Sequence, residues 1–112
     1  MLTWRQCINS QAEENQKWSQ YRNGKVVAAA VINSDIISLR LEIVRYDKLN
    51  RDDVAIWPTV YEGRIVQPDG EVIFETTQIS SLKATEDEAK LWIANKFHKM
   101  LTDMVKELKG ES

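Results

Sequence analysis

The chain has 112 residues and a mass of 13.0 kDa, which leaves room for one domain, residues 1–112, and no more. Hydrophobic residues make up 43% and charged residues 29%, with four Gly and two Pro, a composition that excludes a disordered or collagen-like chain. Fifteen Lys and Arg against seventeen Asp and Glu leave a formal charge of −2. That balance suits neither a strongly basic nucleic-acid binder nor an acidic mimic of DNA.

Residues 1–16 read as an irregular or short helical segment. Ala12-Glu13-Glu14-Asn15 suits one helical turn, and Trp4 is placed to fold back over a core. From residue 17 to about 79 the period of apolar residues is two and turn signals punctuate the chain, which predicts a β-meander. Asn23-Gly24 is the strongest hairpin signal, since a type I′ turn needs positive φ at both central residues; it predicts a strand ending at Arg22 and another over Lys25–Asn33. Val26–Ile32 is apolar on both faces and is expected to be central, or covered twice.

Asn33-Ser34-Asp35 marks the next turn, leading into a strand over Ile36–Tyr46. There Ile37, Leu39, Leu41 and Ile43 point one way, toward the core, and Ser38, Arg40, Glu42 and Tyr46 point toward solvent or a partner. Asp47–Asp53 is a polar loop, in which Asp52 or Asp53 is placed to cap a helical turn over Val54–Trp57 that Pro58 ends. Two further strands, Thr59–Gln67 and Glu71–Gln78, flank a turn at Pro68-Asp69-Gly70. Glu62 and Arg64 lie with Val60, Val66, Val72 and Phe74, so the inward side of these strands stays open.

The C-terminal element is the clearest. Ser80, Ser81 and Thr85 precede an apolar-periodic stretch, Thr85 with Glu88 forms a capping box, and Gly110 supplies the stop. Acidic residues at 86–88 and Lys106 and Lys109 at the far end complement the helix dipole. The prediction is a helix over 86–109. Its apolar residues Ala89, Ile93, Ala94, Phe97, Met100, Leu101, Met104, Val105 and Leu108 span an arc of about 160° on a wheel at 100° per residue, wider than one seam against a sheet needs. Either the helix lies deep in a groove of its own domain, or the Leu101–Val105–Leu108 end packs on a second copy of the chain. The fold class is therefore α+β: a four- to five-stranded antiparallel β-meander packed against one long C-terminal helix.

Catalytic signals are sparse. Cys7 and His98 form the one conceivable nucleophile–base pair, and they lie on different elements; Cys7 reads as a small buried hydrophobe and His98 as a rim residue with its polar tip in water. One Cys forms no internal disulfide, and one His builds no Cys/His zinc pattern. Glu86-Asp87-Glu88 is accounted for by the helix start, and Asp52-Asp53 lacks the spacing of a calcium loop. Gly24, Gly63, Gly70 and Gly110 are isolated, so no phosphate-cradling loop exists. No catalytic residue, metal site or cofactor is expected. The longest apolar run, Val26–Ile32, is far too short to cross a bilayer, and the N-terminus shows no basic patch before an apolar core. A cytoplasmic, non-enzymatic protein is the expectation.

Two groupings suggest binding. Arg40, Arg45 and Arg64 lie near Tyr46, Trp57 and Tyr61, the ingredients of a sheet face for a nucleotide, RNA or an acidic protein patch. Glu42, Glu62 and Glu75 share those strands, so cross-strand Arg–Glu pairing explains the same residues more simply. Trp18 and Trp57 are placed to close the ends of the core, but Trp92 falls with Lys96, Lys99 and Asp103, off the apolar arc. Either Trp92 packs on the N-terminal segment or it anchors a partner.

The run Ser81-Leu82-Lys83-Ala84-Thr85-Glu86-Asp87-Glu88-Ala89-Lys90-Leu91-Trp92-Ile93, directly after a strand, resembles the sheet-to-helix junction of the arm-type DNA-binding domains of phage integrases, and of small phage and bacterial proteins with a β-meander and one helix. The resemblance covers about the last third of the chain and implies the fold. The integrase module is basic and shorter in its helix, so DNA binding is not carried across. The function expected is that of a small phage- or mobile-element-type interaction protein that binds a protein partner as a homodimer, with Trp92, Lys96 and Lys99 toward the partner and Leu101, Val105 and Leu108 in the dimer. The alternative is a nucleic-acid or nucleotide binder using Arg40, Arg45, Arg64 and Tyr61.

Overall fold

The computed structural model describes residues 2–8, 10–11, 21–35, 37–49 and 55–110. Five strands, β1 (Arg5–Gln6), β2 (Tyr21–Asn33), β3 (Ser38–Leu49), β4 (Ala55–Val66) and β5 (Val72–Glu75), form one antiparallel sheet in the order β1-β2-β3-β4-β5. A 3₁₀ turn at Ile79–Ser81 leads into the helix α1 (Glu86–Leu108). This is the α+β arrangement of a meander and one long C-terminal helix. The expectations for Ala12–Asn15, Trp18, Ile36, Asp52 and Asp53 fall outside the described residues, as does the side chain of Trp57.

The helix begins and ends where its sequence dictates. The Thr85 hydroxyl oxygen accepts from the Glu88 N–H at 3.2 Å, and Gly110 takes φ +72° two residues past the last helical turn. The hairpin between β4 and β5 turns at Gly70, whose φ is +92°, while Asp69 Oδ1 accepts from the Glu71 N–H at 2.9 Å. At the β2–β3 turn the Ser34 N–H donates to the Ile37 carbonyl at 2.8 Å.

Asn23-Gly24 does not turn. β2 runs straight through it, with a bulge between Arg22 and Lys25. Gly24 serves another purpose: a Cβ there would lie 2.6 Å from the Tyr46 ring, so the missing side chain lets the strand close over that aromatic. The helical turn expected at Val54–Trp57 is likewise corrected, because Ala55–Trp57 opens β4. Lys48 pairs with Ile56 and Asp47 with Thr59, so Trp57 and Pro58 sit in a bulge, where a residue without an N–H is tolerated. The N-terminal segment is not helical at Arg5–Gln6 but pairs with Ala28 and Ala29 of β2.

The sheet presents Leu39, Leu41 and Ile43 to the helix, as their alternation predicts, beside Ala28, Ala30, Ile32, Tyr61, Ile65 and Phe74. Ala89, Ile93 and Phe97 of α1 fill the other side of this core, with Trp4 and Leu2 packed at its margin. Ile93 sits over Gly63, where an added Cβ would come within 2.7 Å of the Ile93 Cβ. The first turns of α1 also hold the N-terminal segment. Gln6 Nε2 donates to Glu86 Oε2 at 3.0 Å, Lys90 pairs with Glu86 at 2.9 Å, and the Lys90 ammonium lies 5.6 Å from the centre of the Trp4 ring. Burial pushes the Glu86 carboxyl up, but the hydrogen bonds from Lys90 and Gln6 and the Lys90 charge outweigh it and hold the group below its ordinary value.

Gly63→Ala is expected to destabilise the protein by about 1–3 kcal/mol through overpacking against Ile93, whereas Asn95→Ala on the exposed helix face shifts it by less than about 0.5 kcal/mol. Urea unfolding followed by circular dichroism measures both.

Candidate interaction surfaces

The second face of the sheet is not the wet surface its alternation suggests. Tyr46 and Val44 are buried there, with Val26, Val60 and Leu82 packed against them, and Val66 is buried nearby. Glu42 is 5% exposed and Glu62 1%. Both carboxylates are partnered: the Tyr46 hydroxyl donates to Glu62 Oε1 at 3.3 Å, and Glu42 takes Arg40 Nε on one oxygen and Arg64 Nε on the other, each at 2.8 Å. Burying a charge is costly unless it is matched, and the Arg–Glu–Arg arrangement supplies the match. Glu42 and Arg64 are direct cross-strand neighbours in the register, which is why the pair forms.

This changes the arginine-rich face expected from the sequence. Arg40 and Arg64 converge on Glu42, and Arg45 lies 3.6 Å from Asp47. Tyr61 projects to the opposite face of the sheet, into the margin of the helix core. The four residues therefore do not form one recognition surface, because strand alternation separates Tyr61 from Arg40 and Arg64.

Cys7 and His98 lie on different elements. Cys7 follows β1, with its backbone N–H on the Val27 carbonyl, and His98 is exposed on α1 beside Leu101 and Thr102. Among the described residues no group of three or more His, Cys, Asp or Glu side chains is placed to hold a metal ion. No helix among them is long and apolar enough to cross a membrane.

The apolar arc of α1 resolves into two stripes. Ala89, Ile93, Phe97 and Met100 face the sheet. Ala94, Leu101, Val105 and Leu108 lie about 90° around the helix from them, while Met104 falls on the sheet-facing stripe. Leu101 still touches the core margin, but Met104, Val105 and Leu108 are 49%, 47% and 86% exposed. Beyond Phe97 the helix buries none of its residues, so its last two turns overhang the sheet.

Trp92 packs at the margin of the helix core. Its ring lies 6.0 Å from that of Phe74 on β5, tilted by 37°, and the ammonium groups of Lys96 and Lys83 lie 5.6 and 6.0 Å from its centre. Lys99, expected beside it, pairs instead with Asp103 at 3.2 Å. The sequence reading missed Phe74 and Lys83 as neighbours of Trp92; the strand period of β5 put Phe74 on a face that could not be oriented without the register.

Compared with protein-family models, curated proteins and solved structures, the chain finds no match in any of the three.

Glu42→Ala should cost about 3 kcal/mol or more, since it leaves the largely buried Arg64 without its carboxylate, while Asp103→Ala, which opens an exposed pair, should cost less than about 0.5 kcal/mol. Chemical denaturation of the two variants separates these outcomes.

Proposed function

We propose that this is a small non-enzymatic interaction protein that works as a homodimer, assembled along the overhanging end of α1. The observation that carries the reading is the second apolar stripe, with Val105 and Leu108 exposed on a helix already docked through a different face. A helix needs one apolar stripe to pack on its own sheet; a second stripe needs a second surface.

A second copy of the chain fits that surface. On the wheel Leu101, Val105 and Leu108 span about 60°, the width of a seam between two helices, and Lys109 borders them. Two such helices running side by side in the same direction bring Leu101 and Leu108 against their equivalents across the two-fold axis. The contact spans only about two helical turns, below the size of a standard stable interface, so a dissociation constant in the micromolar range follows.

Arg40, Arg45 and Arg64 each face a carboxylate, which weakens the nucleic-acid alternative, because phosphate would have to displace those partners.

In light scattering or sedimentation at about 100 μM, well above such a constant, the wild-type chain should run at twice its 13.0 kDa mass, and Leu108→Glu should run as a folded monomer with an unchanged circular dichroism spectrum. A wild-type monomer at that concentration would end the homodimer reading.

A further inference from the structure

The exposed stripe of α1 does not stop at the overhang. Counted back from Leu108 it continues through Val105, Leu101, His98, Ala94 and Leu91, in steps of three, four, three, four and three. That alternation is a heptad pattern, with Leu91, His98 and Val105 at position a and Ala94, Leu101 and Leu108 at position d. Leu91 is 66% exposed, His98 is exposed, and Ala94 is half-buried. Asp87, one step further back, ends the apolar row. On the wheel the centre of the row drifts by about 20° per heptad, from about 130° off the sheet-facing stripe near Leu91 to about 90° off it near Leu108. The row is thus turned furthest from the sheet where α1 lies on it.

A hollow of about 330 Å³ opens on this side of the helix, lined by His98, Leu101, Thr102, Val105, Lys106 and Lys109. The first four are successive a, d, e and a positions. In a parallel coiled coil those four form the hole that receives a d-position side chain, here the partner's Leu101.

We propose that the homodimer contact is a two-stranded parallel coiled coil over residues 91–108, in which His98 meets the partner's His98 and makes assembly depend on pH. The proposal rests on the homodimer reading and deepens it: the contact at the overhang becomes the C-terminal half of a longer seam. A second copy is selected by the residues themselves. β-branched Val105 at a with Leu101 and Leu108 at d favours two strands. Along the flanks of a parallel pair Lys90 faces the partner's Asn95, Phe97 the partner's Thr102, and Met104 the partner's Lys109, so no like charges meet.

His98 stands near the middle of this seam, and it is the one histidine in the chain. Two neutral imidazoles pair well, since one offers an N–H and the other a bare nitrogen. Two imidazolium rings have only donors and the same charge. The partner's Ala94, His98 and Leu101 face it across the seam, and Lys106 and Lys109 share its hollow on the same chain. Protonation therefore adds positive charge where no carboxylate faces it. Protons favour the separated chains, and the dimer weakens as pH falls through the range in which histidine changes charge. A polar side chain at a core position also costs stability, which keeps the longer seam weak.

Sedimentation equilibrium of the full-length chain, at about pH 7.5 and about pH 5.5, brackets the histidine range. The wild-type dimer should have a dissociation constant at least about tenfold larger at the lower pH, and His98→Leu should bind no more weakly than wild type and change by less than about twofold. Leu91→Glu, three turns before the overhang, should run as a monomer at the higher pH with an unchanged circular dichroism spectrum. A wild-type dimer indifferent to pH, a pH response that survives in His98→Leu, or a dimer formed by Leu91→Glu would overturn the proposal and leave the homodimer reading standing. A wild-type monomer at the higher pH would remove both.

Discussion

Where Ile93 rests on Gly63, the helix and sheet come closer than any side chain on the strand would allow. That contact fixes both the height of α1 above the sheet and its rotation about its own axis, because Ala89 and Phe97 must then enter the core on either side of it. Once the rotation is set, the remaining residues of α1 have no choice of direction. Trp92 and Lys96 fall toward the β5 edge, and Leu101, Val105 and Leu108 fall toward the open side. A glycine on β4 thereby determines which surfaces the protein has to offer.

The other face of the sheet contributes in a different way. It buries Glu42 and Glu62, and each is matched to a side chain on an adjacent strand. Such matched charges add little net stability over an apolar packing, but a register slip of one residue would move each of them away from its partner, so they fix the pairing of β3 with β4. They also engage Arg40 and Arg64. What the sequence offers as a basic, aromatic face becomes a lattice of Arg–Glu and Tyr–Glu partners.

The parts legible from sequence are those governed by local rules. The helix limits followed from the Thr85 cap and Gly110, and the inward row Leu39, Leu41 and Ile43 followed from strict alternation. The turn at Asn23-Gly24 misled, because the strongest local turn chemistry was overridden by a long-range need: the space above Tyr46, twenty-two residues later. The faces of β4 and β5 were unreadable for the same kind of reason, since polar residues on both rows hide which is buried until the Glu42–Arg64 and Tyr46–Glu62 partners are known. The neighbours of Trp92 depended on where α1 docks, and no periodicity in α1 itself encodes the position of Gly63.

Hydrogen exchange along α1, followed at several protein concentrations, reaches the centre of this account. A helix anchored through Ile93 and free beyond Leu101 should protect the amides of 89–101 at every concentration, and protect those of 102–108 only as the concentration rises toward formation of the proposed dimer. Uniform protection from end to end at all concentrations, or rapid exchange at Ile93 and Phe97, would contradict it.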